Sequence, residues 1–260
     1  QLSRSDALLK LRLASTGPEC REPQASSLKR AASRKQQALD RFRILFIYRI
    51  IQEKIMKTKE AEKITHTLSK PGKMPGYAYS TPAAACKTGT KLRRIPGSVC
   101  ANCYAFERGR YRFDNVKAAQ YKRLDSLKHP LWSIAMAAQI NLKSKNGHAF
   151  FRWHDSGDVQ DLKHLAKIFR VCRLTPEVQH WMPTREAWIK KYLDRAPKNL
   201  VIRFSGQMVD QPPVKSWPHT STVSTNPQLV TCPAPKQGNQ CKDCRACWDR
   251  QIKNICYGEH

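Results

Sequence analysis

Seven of the ten cysteines fall into two groups, and thiolates at short spacing do metal chemistry. The first group is Cys86, Cys100 and Cys103. Cys100-Ala-Asn-Cys103 puts two thiolates on one tight turn, the reach needed to grip one metal or one face of an iron–sulfur cluster. Cys86 stands upstream and can fold back as a third ligand. The basic segment between them, residues 87–97, holds two glycines and a proline and reads as loop rather than helix or strand. Three protein ligands leave one coordination position open, the mark of a reactive centre. A zinc knuckle that takes its fourth ligand from elsewhere in the fold has the same spacing, and both readings stand. The second group is Cys232, Cys241, Cys244 and Cys247, four thiolates in sixteen residues. They satisfy a tetrahedral metal or all four corners of a cubane cluster. Cysteines repeated at two-residue intervals look more like a ferredoxin-type run than a zinc ribbon with two separated pairs. Of the remaining cysteines, Cys172 reads as a buried small hydrophobe. Cys256 and His260 are spare ligands at most.

Positioning such groups requires a scaffold, and the middle of the chain supplies a repeated one. Residues 149–153, 178–182 and 200–204 read as strands, with helices at 159–172 and around 187–193 between them. A further strand is expected at 77–80 and another at 221–224. A helical stretch at 115–143 is expected to break in two at Pro130. Strand–helix–strand–helix–strand at this spacing predicts α/β architecture, a partial (β/α) barrel of parallel βα units. In such folds reactive residues follow the carboxyl ends of strands. Those ends hold His154, Asp155, Asp158, Thr184, Arg185, Glu186, Arg203, Ser205 and Gln207. His154, Asp155, Arg185 and Arg203 are the candidates for binding an anionic substrate or a cofactor carboxylate, because arginine offers bidentate donors. Ser156 or Asp158 can instead cap the helix that follows. Trp153 and Trp181 serve either core packing or the exclusion of water from a site.

The chain of 260 residues carries 47 basic and 20 acidic side chains, a formal net charge of +27. That charge predicts attraction to polyanions, most simply nucleic acid. The tail adds Lys242, Arg245 and Arg250 beside Trp248 and Tyr257, which can stack on bases. A non-catalytic zinc-thiolate protein that binds nucleic acid is therefore the competing expectation. Grouped cysteines in a chain of this size favour a reduced, cytoplasmic setting over a secreted disulfide scaffold. No apolar run approaches the ~20 residues needed to span a bilayer. Three regions are expected: a doubtful or disordered basic leader at 1–55, a barrel-like domain with the early cysteine loop at 56–225, and a cysteine-rich metal-binding tail at 226–260. The first methionine is Met56, which reads as the native start; Leu39 to Ile55 reads alternatively as a basic helix. Without residues 1–55 the chain still carries about +20.

Three stretches together resemble the phage "gene product 88" type of protein. They are Cys86 with Val99-Cys100-Ala-Asn-Cys103-Tyr104-Ala105, then Arg152-Trp153-His154-Asp155-Ser156-Gly157-Asp158, then Cys232, Cys241, Cys244 and Cys247-Trp248. That family looks like a distant relative of radical S-adenosylmethionine enzymes. In those enzymes three cysteines hold three irons of a four-iron, four-sulfur cluster, and the cofactor's methionine moiety chelates the fourth. Reductive cleavage then gives a 5′-deoxyadenosyl radical. The resemblance implies that Cys86, Cys100 and Cys103 are cluster ligands. It implies that Ser156, Gly157 and Asp158 meet the amino group of S-adenosylmethionine, and that the four tail cysteines hold an auxiliary cluster. The host-cell cytoplasm is the location it implies.

Overall fold

The computed structural model describes residue 36 and residues 56–106, 108–144 and 149–259. The chain divides into residues 1–48 and residues 49–260, and the second unit is the one described below. The expected leader and its helix at 39–55, together with Cys20 and His260, lie outside the described residues, Gln36 excepted.

Six strands form one sheet: β1 (Tyr77–Tyr79), β2 (Phe150–Trp153), β3 (Gln179–Thr184), β4 (Leu200–Ser205), β5 (Thr220–Ser224) and β6 (Asn254–Gly258). Every pairing is parallel, and the order across the sheet is the order along the chain. Parallel crossovers are right-handed, so a sheet wound in one direction carries them all on one face. The other face is left free to curve round an interior. β1 and β6 do not pair, so the sheet is an open one, compatible with part of a barrel.

Alternation along the strands sorts residues between the two faces. Phe151, Trp153, Met182, Leu200, Ile202 and Phe204 enter the main core. There they meet Trp132, Met136 and Ile140 of one helix (Trp132–Lys143) and Leu165, Ile168 and Phe169 of another (Leu162–Leu174). Each fully buried side chain of this size contributes roughly 1.5–3 kcal/mol. Arg152, Trp181, Ser205, Ser221, Val223 and Tyr257 point to the opposite face, where a cavity lies.

The helical stretch divides as expected, into Asp114–Ser126 and Trp132–Lys143 around Pro130. Two local expectations are corrected. Residues 87–97 are not all loop: Lys87–Leu92 is a short helix, and the turn is made by Pro96 and by Gly97, whose φ is +74°. The helix after β2 begins at Leu162, not 159, and its cap is Asp161, whose carboxylate accepts from the His164 N–H. Asp158 cannot cap it because its carboxylate is already engaged by Thr184 and by the Arg185 N–H. The tail also supplies a strand: Asn254–Gly258 completes the sheet beside β5.

Candidate functional site

Residues from both cysteine groups and from the strand-end loops line one cavity of about 750 Å³. Its first wall is the early cysteine loop. Cys86 sits at the start of the Lys87–Leu92 helix, and Cys100 and Cys103 sit on the turn that follows. Ser98 ties the two together, donating to the Leu92 carbonyl at 2.6 Å and accepting from the Ala101 N–H at 3.1 Å. Gly89 explains why the helix tolerates a glycine. A Cβ there would lie 3.0 Å from Cys86 Cβ, 3.6 Å from Cys100 Sγ and 3.7 Å from Cys86 Sγ. Both sulfurs therefore look onto the same bare stretch of backbone. The Thr88 N–H donates to Glu186 Oε1 at 3.0 Å, which fastens this helix to the end of β3.

The second wall is the tail. Cys232, Cys241 and Cys247 line the cavity, and Cys244 is within electrostatic reach of Cys232 and Cys241. The loop is anchored from behind. Arg203, fully buried, donates to the carbonyls of Ala246, Cys247, Asp249 and Ile252 at 2.8–3.0 Å. Trp248 packs between Phe150 and Trp181, and its N–H donates to the Phe151 carbonyl at 3.0 Å. The Cys241 N–H donates to Lys73 O at 2.7 Å, and Cys247 Sγ lies 3.3 Å from the Tyr257 hydroxyl.

Between the walls runs the loop from His154 to Asp158, all of it on the cavity lining. His154 is buried at φ +57°, and neither ring nitrogen has a hydrogen-bond partner among the described residues. Asp155 Oδ2 accepts from Arg110 at 2.7 Å, and its backbone carbonyl accepts from the Tyr104 hydroxyl at 2.7 Å. Among the described residues Asp155 Oδ1 and Ser156 Oγ have no partner. Gly157, at φ +86°, is required: a Cβ would fall 1.9 Å from Thr81 Oγ1. Asp158 accepts from the Val159 N–H, the Thr184 hydroxyl and the Arg185 N–H, at 2.7–2.8 Å. Burial nevertheless pushes its carboxyl up to about 6. Arg185 lines the cavity, and its Nε is unpartnered among the described residues.

Burial pushes the Cys86 and Cys100 thiols up, and Asp158 adds to this while Arg185 opposes it. Cys247 is pushed up to about 11, again chiefly by burial. Uncompensated thiolates are thus unfavourable on both walls, and a bound cation is the charge that would reverse this. Among the described residues no three His, Cys, Asp or Glu side chains are gathered to hold a metal ion as they stand. The donor chemistry, three thiols on one wall and three on the other, fits a thiolate-bound metal or cluster.

Of the sequence-derived candidates, His154, Asp155, Ser156, Gly157, Asp158, Arg185, Cys86, Cys100, Cys103, Cys232, Cys241 and Cys247 share this cavity. Arg203 is not part of its lining, and its donors are spent on the tail's carbonyls. The expected base-stacking surface of the tail is corrected as well: Trp248 is buried, and Arg250 donates to the carbonyls of Pro197, Lys198 and Leu200. Trp153 belongs to the core, whereas Trp181 lines the cavity. Two residues escaped the sequence reading. Arg110 holds Asp155. Arg152 donates to the Tyr104 hydroxyl at 3.2 Å and lies 4.7 Å from the Trp181 ring, with Nε unpartnered. The signal for Arg152 was the strand alternation, which puts it opposite Phe151 and Trp153.

No helix among the described residues is long and apolar enough to cross a membrane. No curated protein and no solved structure gave a significant match to the chain. The family model described as Gene product 88 matches residues 52–250, a span that holds both cysteine groups and the cavity loop between them. On that match over most of its length, the chain belongs to the gene product 88 family.

Proposed function

We propose that this protein is an iron–sulfur enzyme of the radical S-adenosylmethionine type. Cys86, Cys100 and Cys103 would hold a four-iron, four-sulfur cluster, and Cys232, Cys241, Cys244 and Cys247 an auxiliary one. The observation that carries the reading is the meeting of three early thiols, three tail thiols and the polar His154–Asp158 loop on one cavity. That cavity is lined by the residues that follow the carboxyl ends of β2, β3 and β4, where α/β enzymes place their chemistry. When bound, a cluster with one iron not held by the protein supplies one-electron reduction.

The chain's own residues bind and orient. Asp155 Oδ1 and Ser156 Oγ are buried and unpartnered, so each can take a hydrogen bond from a bound amino group. Arg185 and Arg152 each keep Nε free for a carboxylate or phosphate. Gly157 lets the loop lie against Thr81, and Trp181 adds an aromatic surface to the cavity lining. His154 is held neutral by burial, with His164 and Arg152 acting in the same direction, so it offers a ring nitrogen that can accept a hydrogen bond.

The test is anaerobic purification of the full chain with iron, zinc and sulfide analysis and an absorption spectrum, beside Cys100→Ala and Cys244→Ala. Iron and acid-labile sulfide are expected, with each variant losing a separate share. Zinc without sulfide would end the radical reading in favour of a zinc-thiolate protein.

A further inference from the structure

We infer that the mouth of the cavity is a docking surface for single-stranded nucleic acid, with Arg94, Arg108 and Arg112 on phosphates and Phe113 under a base. We further infer that such a strand is the substrate of the cavity, a step that rests on the enzyme reading above; the docking itself does not.

The 3₁₀ turn Gly109–Arg112 forms part of the cavity wall and continues to the surface. Its Arg110 and Tyr111 line the cavity, and its neighbours Arg108, Arg112 and Phe113 are exposed. From 108 to 113 the sequence is Arg-Gly-Arg-Tyr-Arg-Phe, cations interleaved with rings. Phe113 is 51% exposed and Tyr104 44%, large aromatic faces at the edge of a polar site. The Arg112 guanidinium lies 5.2 Å from the Phe113 ring, and the Arg110 guanidinium 5.1 Å from the Tyr111 ring. Paired planes of this kind are what an unstacked base lies on. On the adjoining edge Arg93 covers Phe106 at 3.6 Å, and Arg94 beside it is exposed. Among the described residues Arg94, Arg108 and Arg112 make no ion pair, and Arg108 has only the Asn102 amide oxygen at 3.4 Å.

The interior continues the same chemistry. Arg152 and Arg185 keep free Nε donors, and the buried Trp181 keeps a free indole N–H. A cavity of about 750 Å³ takes a nucleotide, since small-ligand pockets run roughly 300–1,000 Å³. A duplex keeps its bases stacked and cannot present one to Phe113 or pass it inward; a single strand does both. An acidic polypeptide would satisfy the arginines but leave the exposed rings without a planar partner.

The experiment is fluorescence anisotropy on the full chain with labelled single-stranded DNA and RNA twelve-mers, a DNA duplex of the same sequence, and polyglutamate as competitor. Measurements run across a salt series. Single strands are expected to bind at least tenfold more tightly than duplex, with polyglutamate competing poorly. The triple variant Arg94→Ala/Arg108→Ala/Arg112→Ala should weaken binding at least tenfold and lower the slope of log K against log salt by about 2, since each phosphate contact contributes ~0.7. Phe113→Ala should weaken binding about tenfold with the salt slope unchanged. A control carries Lys29→Ala/Arg30→Ala/Arg34→Ala/Lys35→Ala. Equal binding of duplex, equal competition by polyglutamate, or a loss that follows the control rather than the mouth variants overturns the proposal. Iron is measured on the same samples. A protein without iron that shows mouth-dependent binding overturns the cluster and supports the docking surface; one with iron but no mouth dependence does the reverse.

Discussion

The two cysteine groups line one cavity but are held there by different means. The early group is built on regular structure: Cys86 opens a helix, Ser98 ties that helix to the Cys100 turn, and Thr88 fastens it to Glu186 after β3. The tail group hangs on loops, with only short 3₁₀ turns at Ala234–Gln237 and Ala246–Trp248, and its fixed points are Arg203, Trp248 and a few backbone bonds. A site that must leave room for an outside ligand needs its donors fixed by the scaffold before that ligand arrives. A site that closes its own coordination can be organised by the metal it binds. On the cluster reading proposed above, three thiols on a rigid wall and four on a pinned loop would match that division.

The tail's dependence on one side chain gives the largest expected effect. Arg203→Leu leaves four backbone carbonyls without their donor in the interior. Each unsatisfied buried acceptor costs about 1–3 kcal/mol, less where water reaches it, so a loss of about 4 kcal/mol is expected in urea unfolding. On the proposed cluster reading, metal held by the tail should go with it while the early group's share stays. Arg203→Lys should rescue little, because an ammonium cannot reproduce the planar fork. Equal loss of both shares would mean the two walls form a single unit and would break the comparison.

Acid should act in the opposite place. His164 and His180 are held down to about 3 by burial, against an ordinary 6.5, and burial lowers His154 well below it too. His154 directly follows β2, His180 lies on β3 and His164 on the Leu162–Leu174 helix. A histidine that cannot protonate in the folded state binds its proton only on unfolding. Its contribution is therefore intact above pH 6.5 and is lost as pH falls toward 3, by about 1.4 kcal/mol per pH unit for each. Asp158 runs the other way: with its carboxyl raised to about 6 from 3.8, it loses stability as pH rises between those values and so offsets one histidine there. Denaturation at pH 7, 5.5 and 4.5 should show the net loss on acidification, and His180→Gln should flatten it by about one proton. Amide exchange at low pH should release β2 before β5 and β6; simultaneous release would erase the distinction between the two sides.

Where the chain could be read without its structure follows the same divide. The apolar runs of β2, β3 and β4 announce themselves by composition, and each ends in polar residues that line or border the site. β6 does not: Asn254–Gly258 has only Ile255 and Cys256 buried, and it follows a cysteine run that looks like an appendage. Its role as a strand depends on a partner, β5, some thirty residues upstream. The Lys87–Leu92 helix was hidden because Thr88, Gly89 and Thr90 are poor helix formers, and tertiary contacts override that preference. Arg203 misled for a geometric reason. Position near a strand end suggested the site, but alternation turns it to the inner face beneath the tail, and nothing in local sequence says what covers that face.

The smallest effect isolates the early wall. Gly89 is absent from the glycines with positive φ, so alanine fits its backbone. Helix propensity favours Gly89→Ala by about 0.5–1 kcal/mol. Against this stands a 3.0 Å approach to Cys86 Cβ, tight enough to require a small shift, while contacts of 3.6 and 3.7 Å to the two sulfurs are ordinary. The two contributions oppose each other, and unfolding free energy should change by less than about 1 kcal/mol. The new methyl nonetheless occupies the ground onto which both sulfurs face. Metal or cluster content assigned to Cys86, Cys100 and Cys103 should therefore fall while the tail's share and the urea midpoint hold. If early-wall loading is unchanged, the thiols turn away from Gly89 when they bind, and the rigid-wall half of the comparison has to be given up.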